Sequence, residues 1–187
     1  MQTLRRVLAA WRLWLTPLLV GLAIAVINVA VYLALPPDLL DQLGAIGYLG
    51  AFGSAWLANA SIVIPIPYYP LLIRLAQAVN PYGVALAAAA GSVLGELVAY
   101  YAGRSGRQLA QRTRFYGWVQ RQLQHRWRAP LVLFALSAPP NPFFDVAGLL
   151  AGAVGVPVWV FVAATFAARV VRFVAVVFLG DQLFGGW

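Results

Sequence analysis

The chain has 187 residues, of which 63% are hydrophobic and 10% charged, and its mean hydropathy is +0.81. A soluble domain carries about 25% charged residues, so these totals exclude an ordinary water-soluble fold and point to one all-α integral membrane domain. The formal charge of +8 comes from thirteen arginines and no lysine, clustered at Arg5, Arg6 and Arg12 and again from Arg104 to Arg128. The clusters adjoin apolar runs, which suits an anionic membrane surface and argues against nucleic acid. Cysteine is absent, which removes disulfides, thiolate metal sites and cysteine nucleophiles.

Met1 to Arg12 is short and basic, with Trp11 and Trp14 where interfacial aromatics belong, and this predicts a cytoplasmic N-terminus. Residues 13–35 read as an N-terminal transmembrane helix. The run exceeds the roughly 7–15 apolar residues of a signal peptide, and Pro36-Pro37 stops it by removing amides and biasing Leu35 away from the helical region. Asn28, its one strongly polar residue, reads as a helix–helix hydrogen-bonding group. The loop after it holds Asp38 and Asp41 and no base, so it is placed on the outer side.

Residues 44–79 are too long for one span and too short for two, and Asn59, Ser61, Pro65, Pro67 and Pro70 interrupt them. Parity decides their topology. Residues 81–103 form a span long enough for a hydrocarbon core of roughly 30 Å, and Glu96 is its only side chain charged at neutral pH. If 44–79 crossed once, the span would run outward and leave the seven arginines of 104–128 outside, against the positive-inside rule. A re-entrant hairpin, with its tip at Pro65, Pro67, Tyr68 and Tyr69, restores the sign, provided that protein or a cavity covers the tip.

In 104–128 the apolar residues Leu109, Tyr116, Val119, Leu123 and Trp127 recur at helical spacing among the arginines, which predicts one basic amphipathic helix on the cytoplasmic leaflet. It is either a surface-anchored connector or a device that recruits anionic lipid. Residues 131–156 repeat the earlier pattern, with Pro139, Pro140, Asn141, Pro142 and Asp145 near their middle, and read as a second re-entrant hairpin entering from the cytoplasm. Residues 158–180 form the last transmembrane helix and carry Arg169 and Arg172. The two halves thus form an inverted repeat of re-entrant hairpin plus transmembrane helix, an arrangement that puts transport sites near the midplane.

Ionisable groups in lipid are costly and default to function. Glu96 lies fifteen residues past Pro81 and Arg172 fifteen past Pro157, so this pair is the first expectation, with Arg169, one turn earlier, as the second candidate partner. Such a pair either fixes helix packing or works, the carboxylate exchanging a proton or the arginine meeting a phosphate. Asp145 either caps a half-helix from Val146 to Ala153 or lines, with Asn141, a polar cavity facing Asn59, Ser61, Tyr68 and Tyr69. His125, the single histidine, sits among surface arginines. No nucleophile–base set, carboxylate cluster or phosphate loop is present, so neither an enzyme nor a metal or cofactor is expected.

The segment GSVLGELVAYYAGRSGR, Gly91 to Arg107, resembles the G-x-x-x-G-[DE]-x-x-x-Y-x-x-G-R-x-x-G stretch of the DedA family, also called VTT or SNARE-associated membrane proteins. IPIPYYPLL, Ile64 to Leu72, resembles its first re-entrant segment, and SAPPNPFFDVAGLLAG, Ser137 to Gly152, its second. The resemblance implies two opposed re-entrant hairpins in a bacterial-type inner membrane. It also implies movement of lipid between leaflets, either scrambling of phospholipid or recycling of undecaprenyl phosphate, linked in some members to the proton-motive force. By motif position Glu96 and Arg104 carry over, and Pro140, Asn141 and Asp145 fall in the second hairpin. Many members hold an arginine in that hairpin where this chain has Ser137, Ala138 and Asn141. The expected function is translocation or scrambling of an anionic lipid, with Glu96, Asp145, Arg169 and Arg172 around a midplane cavity. A proton-coupled transporter of a small solute and a non-transporting scaffold are the alternatives.

Overall fold

The computed structural model describes residues 19, 22–36, 43–61, 67–110, 114–123, 125, 127–139 and 143–184. Among these residues every regular element is helical. The helices are α1 (Leu22–Ala34), α2 (Ile46–Ala60), α3 (Tyr69–Ala78), α4 (Pro81–Ser105), α5 (Arg107–Ala110), α6 (Arg114–Leu123), α7 (Arg128–Ser137), α8 (Phe143–Val154) and α9 (Val158–Phe184). Two of them, α4 and α9, are long and apolar enough to cross a membrane, at roughly 37 and 40 Å for a rise of 1.5 Å per residue. Their outer faces show Leu94 and Val98 on α4 and Val171, Phe178 and Leu179 on α9, an apolar surface suited to lipid.

Local chemistry fixes where the long helices begin. Asn80 caps α4, its side-chain oxygen accepting from the amides of Tyr82 at 3.0 Å and Gly83 at 3.1 Å, and Pro81 follows in the first turn, where a missing amide costs nothing. At the other junction Gly155 takes a φ of +83°, a left-handed conformation that glycine adopts without strain. The amide of Val156 then donates to Ala151 at 3.0 Å, closing α8 with a Schellman-type turn before Pro157 and the start of α9.

The structure interrupts the basic segment, for which the apolar spacing predicts one helix, near its start at Gly106. Arg104 and Ser105 belong to the last turn of α4, Gly106 interrupts, and the helical stretches α5 and α6 follow, with residues 111–113 outside the described residues. Leu123 at the end of α6 is buried with Ala129 and Leu133 of α7, so this segment is docked on the α7–α8 pair.

At the centre stands α4, with α2 on one side and α8 on the other. Both approaches are backbone to backbone. A Cβ on Gly91 would overlap the carbonyl of Phe52, and one on Gly152 the carbonyl of Tyr100, so only glycine permits these separations. The ring of Tyr82 lies 5.2 Å from that of Phe178, and the ring of Tyr100 lies 5.1 Å from that of Phe161. Advancing along α4 therefore means retreating along α9, and the two long helices are antiparallel.

Candidate functional site

The antiparallel pair α4/α9 carries two separate apolar cores. One holds Leu72, Val84, Ala88, Phe173 and Val177; the other holds Tyr100, Leu133, Ala151 and Phe161. Between them, Ser92 and Glu96 of α4 face Thr165 and Arg169 of α9, all at most 1% exposed. Residues four apart share a helix face, so each helix contributes one hydroxyl and one charge to this polar layer.

Glu96 pairs with Arg169. The equal spacing from the two prolines had put Arg172 first, but the guanidinium of Arg172 turns elsewhere. Its Nε donates to the carbonyl of Ala138 at 3.0 Å and its Nη2 to the carbonyl of Pro139. Those carbonyls lie directly after the last turn of α7, whose C-cap is Ala138, where helix geometry leaves acceptors without amide partners and the helix dipole favours a cation. Arg172 thus closes the end of α7 at the second break.

The first break reaches the same region from the other end. The rings of Tyr68 and Tyr69 stack at 4.6 Å, and both lie beside Phe173, at 6.1 and 6.3 Å. Both tyrosines stand close enough to Arg169 to interact with it electrostatically. Asn59, buried on α2, donates to the Tyr68 hydroxyl at 3.5 Å and to the Ala55 carbonyl at 2.7 Å. Tyr68 and Tyr69 at the start of α3 and Ala138 and Pro139 after α7 therefore meet the stretch of α9 between Arg169 and Phe173.

The remaining candidates are placed as follows. Pro67 is half-buried and Pro139 exposed. Pro65, Pro140, Asn141 and Pro142 lie outside the described residues. Asp145 is located by its backbone within the first turn of α8, because that helix begins at Phe143, ahead of the half-helix that Asp145 was expected to cap. Arg104 is not in the polar layer; it is exposed, two turns beyond Glu96, and donates to the Tyr100 hydroxyl at 3.3 Å. That hydroxyl donates in turn to the carbonyl of Val156 at 2.5 Å, tying the end of α4 to the α8–α9 turn.

Three features escaped the sequence reading. Ser92 and Thr165 belong to the polar layer, and their signal was a hydroxyl four residues before each buried charge. Arg74 on α3 lies 3.9 Å from the ring centre of Tyr32 and donates to the Tyr32 carbonyl at 3.4 Å, while the Tyr32 hydroxyl meets Gln77 at 3.3 Å. This contact docks α1 on α3, and its signal was a lone arginine closing an apolar run.

A family profile described as the VTT domain matches residues 66–182, more than half of the chain and the whole of the polar layer. No curated protein and no solved structure matches it.

Proposed function

Because the chain belongs to the VTT-domain, or DedA, family of membrane proteins, we propose that it moves an anionic lipid between leaflets through the α4/α9 polar layer. The observation that carries this reading is the buried Glu96–Arg169 pair, which sits between two apolar cores and under two helix breaks. A phosphate headgroup competes with Glu96 for Arg169. Glu96 can release the arginine at low cost only by taking up a proton, since an unpaired carboxylate in low dielectric is strongly disfavoured. Proton uptake and headgroup binding are then linked at one residue.

In this proposal the two broken segments are re-entrant hairpins of an inverted repeat in an inner membrane, with the N-terminus and the arginine-rich segment cytoplasmic. Helix lengths support it. With 15, 10, 10 and 12 residues, α2, α3, α7 and α8 span about 15–23 Å each, short of a core of roughly 30 Å. The first segment returns to its start: a Cβ on Gly47 would lie 3.3 Å from Leu75 and 3.9 Å from Val79. Packing follows the same symmetry, α4 lying against α2 of its own half and α8 of the other, and α9 against α7 of its own half and α3 of the other. Asn141 and Asp145 join the pathway at the second tip, Pro65, Pro67, Pro139, Pro140 and Pro142 shape the tips, and Arg104 stands at the cytoplasmic mouth.

Reconstitution tests the proposal. Leaflet exchange of labelled phospholipid and of a polyprenyl phosphate is followed in liposomes, with and without a pH gradient, for the wild type and for Glu96→Gln and Arg169→Gln. Exchange by the wild type, lost in both variants, is expected. A folded wild type that leaves both lipids on their starting leaflet refutes it. The hairpins are tested by single cysteines, for which the cysteine-free chain is suited: Tyr69→Cys fully accessible from the cytoplasmic side rules out re-entry.

A further inference from the structure

A serine or threonine inside a helix ordinarily returns its hydroxyl to the carbonyl three or four residues back. Ser92 and Thr165 do not. Both are fully buried, and neither hydroxyl has a hydrogen-bond partner among the described residues. A buried hydroxyl left unbonded costs free energy, and two of them flank the same ion pair, one from each helix. The register set by the Tyr82–Phe178 and Tyr100–Phe161 contacts puts Thr165 roughly level with Glu96 and Ser92 roughly level with Arg169. The hydroxyls therefore bracket the pair along the helix axes.

We infer that Ser92 and Thr165 are hydrogen-bond donors to a phosphate oxyanion held by Arg169, which rests on the proposed function above and assigns the headgroup its ligands. Two observations select this chemistry. Among the described residues the cations at the pair are guanidinium groups, that of Arg169 and, within electrostatic range of it, that of Arg172; a guanidinium fork matches phosphate oxygens and repels a metal cation that the nearby hydroxyl and carboxylate oxygens could otherwise attract. The hydroxyls can each donate once, so an acceptor-rich tetrahedral anion satisfies both while Arg169 neutralises it. Glu96 takes up a proton when the anion binds, because an ionised carboxylate and a phosphate anion side by side in a low-dielectric layer repel each other. The proton comes from the aqueous phase with the anion and leaves with it, so the layer keeps the same net charge with and without a singly charged phosphate. The same donor set fits the phosphate of a lipid headgroup and a free phosphate ion.

The test uses the full chain in detergent and in liposomes. Thermal midpoints are measured against increasing inorganic phosphate and, separately, a short-chain phosphatidic acid, for the wild type, Ser92→Ala, Thr165→Val and Thr165→Ser. Leaflet exchange of labelled lipid is followed for the same four proteins. Without anion, Ser92→Ala and Thr165→Val should melt at or above the wild-type temperature, since they lose no bond. The anion concentration giving half of the maximal shift should rise about tenfold or more in each, the effect of one lost hydrogen bond to a charged group. Thr165→Ser, which keeps the hydroxyl, should retain wild-type half-saturation. A shift with the lipid alone or with free phosphate alone supports the inference and names the source. If the wild type responds and exchanges lipid while Ser92→Ala and Thr165→Val respond with unchanged half-saturation, the inference is overturned and the proposed function stands. A fall of the anion-free midpoint by several degrees in both variants overturns it too, because the hydroxyls are then structural. If the wild type neither responds to an anion nor exchanges lipid, the proposed function itself fails.

Discussion

Neutralising one member of the Glu96–Arg169 pair leaves the other where neither side chain is more than 1% exposed, so water does not soften the loss. Breaking a buried pair from one side costs about 3–5 kcal/mol, whereas replacing both partners by apolar residues of similar volume is often neutral or stabilising by about 1–4 kcal/mol. Glu96→Gln and Arg169→Met should each destabilise by about 3–5 kcal/mol. At about 2–4 °C per kcal/mol for a chain of this size, that is a fall of roughly 6–20 °C in thermal midpoint. The double variant Glu96→Met/Arg169→Met should recover most of the midpoint. Unfolding in detergent, followed by tryptophan fluorescence, gives the three midpoints, and leaflet exchange by the same proteins in liposomes gives the activity. Recovery of stability without recovery of exchange is expected. If the double variant melts as low as the worse single variant, the two charges are not coupled as the structure places them. If it regains exchange as well, the pair serves packing alone and the proposed function loses the observation that carries it.

Replacing Arg172 with glutamine removes charge-assisted bonds to the Ala138 and Pro139 carbonyls, worth about 1.5–3 kcal/mol each; alkylation of a cysteine placed at Ala138 should accelerate, and an unchanged rate argues against this role. Gly152→Leu drives a side chain into the backbone of Tyr100 and Arg104 and should destabilise by about 1–3 kcal/mol or more, while Gly53→Leu, with open space around it, should leave the midpoint within about 0.5 kcal/mol. Equal melting of the two glycine variants contradicts the close approach of α4 and α8. Tyr100→Phe strands the Val156 carbonyl that its hydroxyl meets at 2.5 Å and should cost about 1–3 kcal/mol, visible as a lower midpoint in detergent.

Family and helical class were legible because they rest on one-dimensional signals. A carboxylate within an apolar run and the G-x-x-x-G-E spacing ending at Gly103-Arg104 survive in sequence whatever the packing. Asn80-Pro81 likewise writes the start of α4 locally, since a cap and a first-turn proline act within one turn. The partner of Glu96 was not legible, because it depends on how far α4 and α9 slide past one another. Ser92 and Thr165 were passed over for a related reason. A hydroxyl in an apolar helix usually bonds its own backbone, and only the folded chain reveals that these two do not. Arg74 was hidden by the proline-rich segment around it, since its role depends on Tyr32, which is 42 residues away in the chain.

The choice of Arg169 over Arg172 follows from the direction in which helical side chains lean. Each Cα–Cβ bond tilts toward its own N-terminus, so in an antiparallel pair long side chains on facing helices lean in opposite senses. With Glu96 roughly level with Thr165 and Arg169 roughly level with Ser92, Glu96 leans toward the level of Ser92 and Arg169 toward that of Thr165, so the two charges meet between those levels. Arg172 begins about a turn further from Glu96 and would have to reach past Arg169, while the carbonyls of Ala138 and Pro139 lie within its range. In the proposed inverted repeat, equal distance from the two prolines marks matching positions, and across an antiparallel pair such positions face each other only at the midpoint. Fifteen residues lies beyond the midpoint of α4, which has 25 residues, so the facing arginine had to be nearer the start of α9. In the proposed inverted repeat the two matching charges therefore have different partners: Glu96 holds the neighbouring long helix, and Arg172 holds the end of α7.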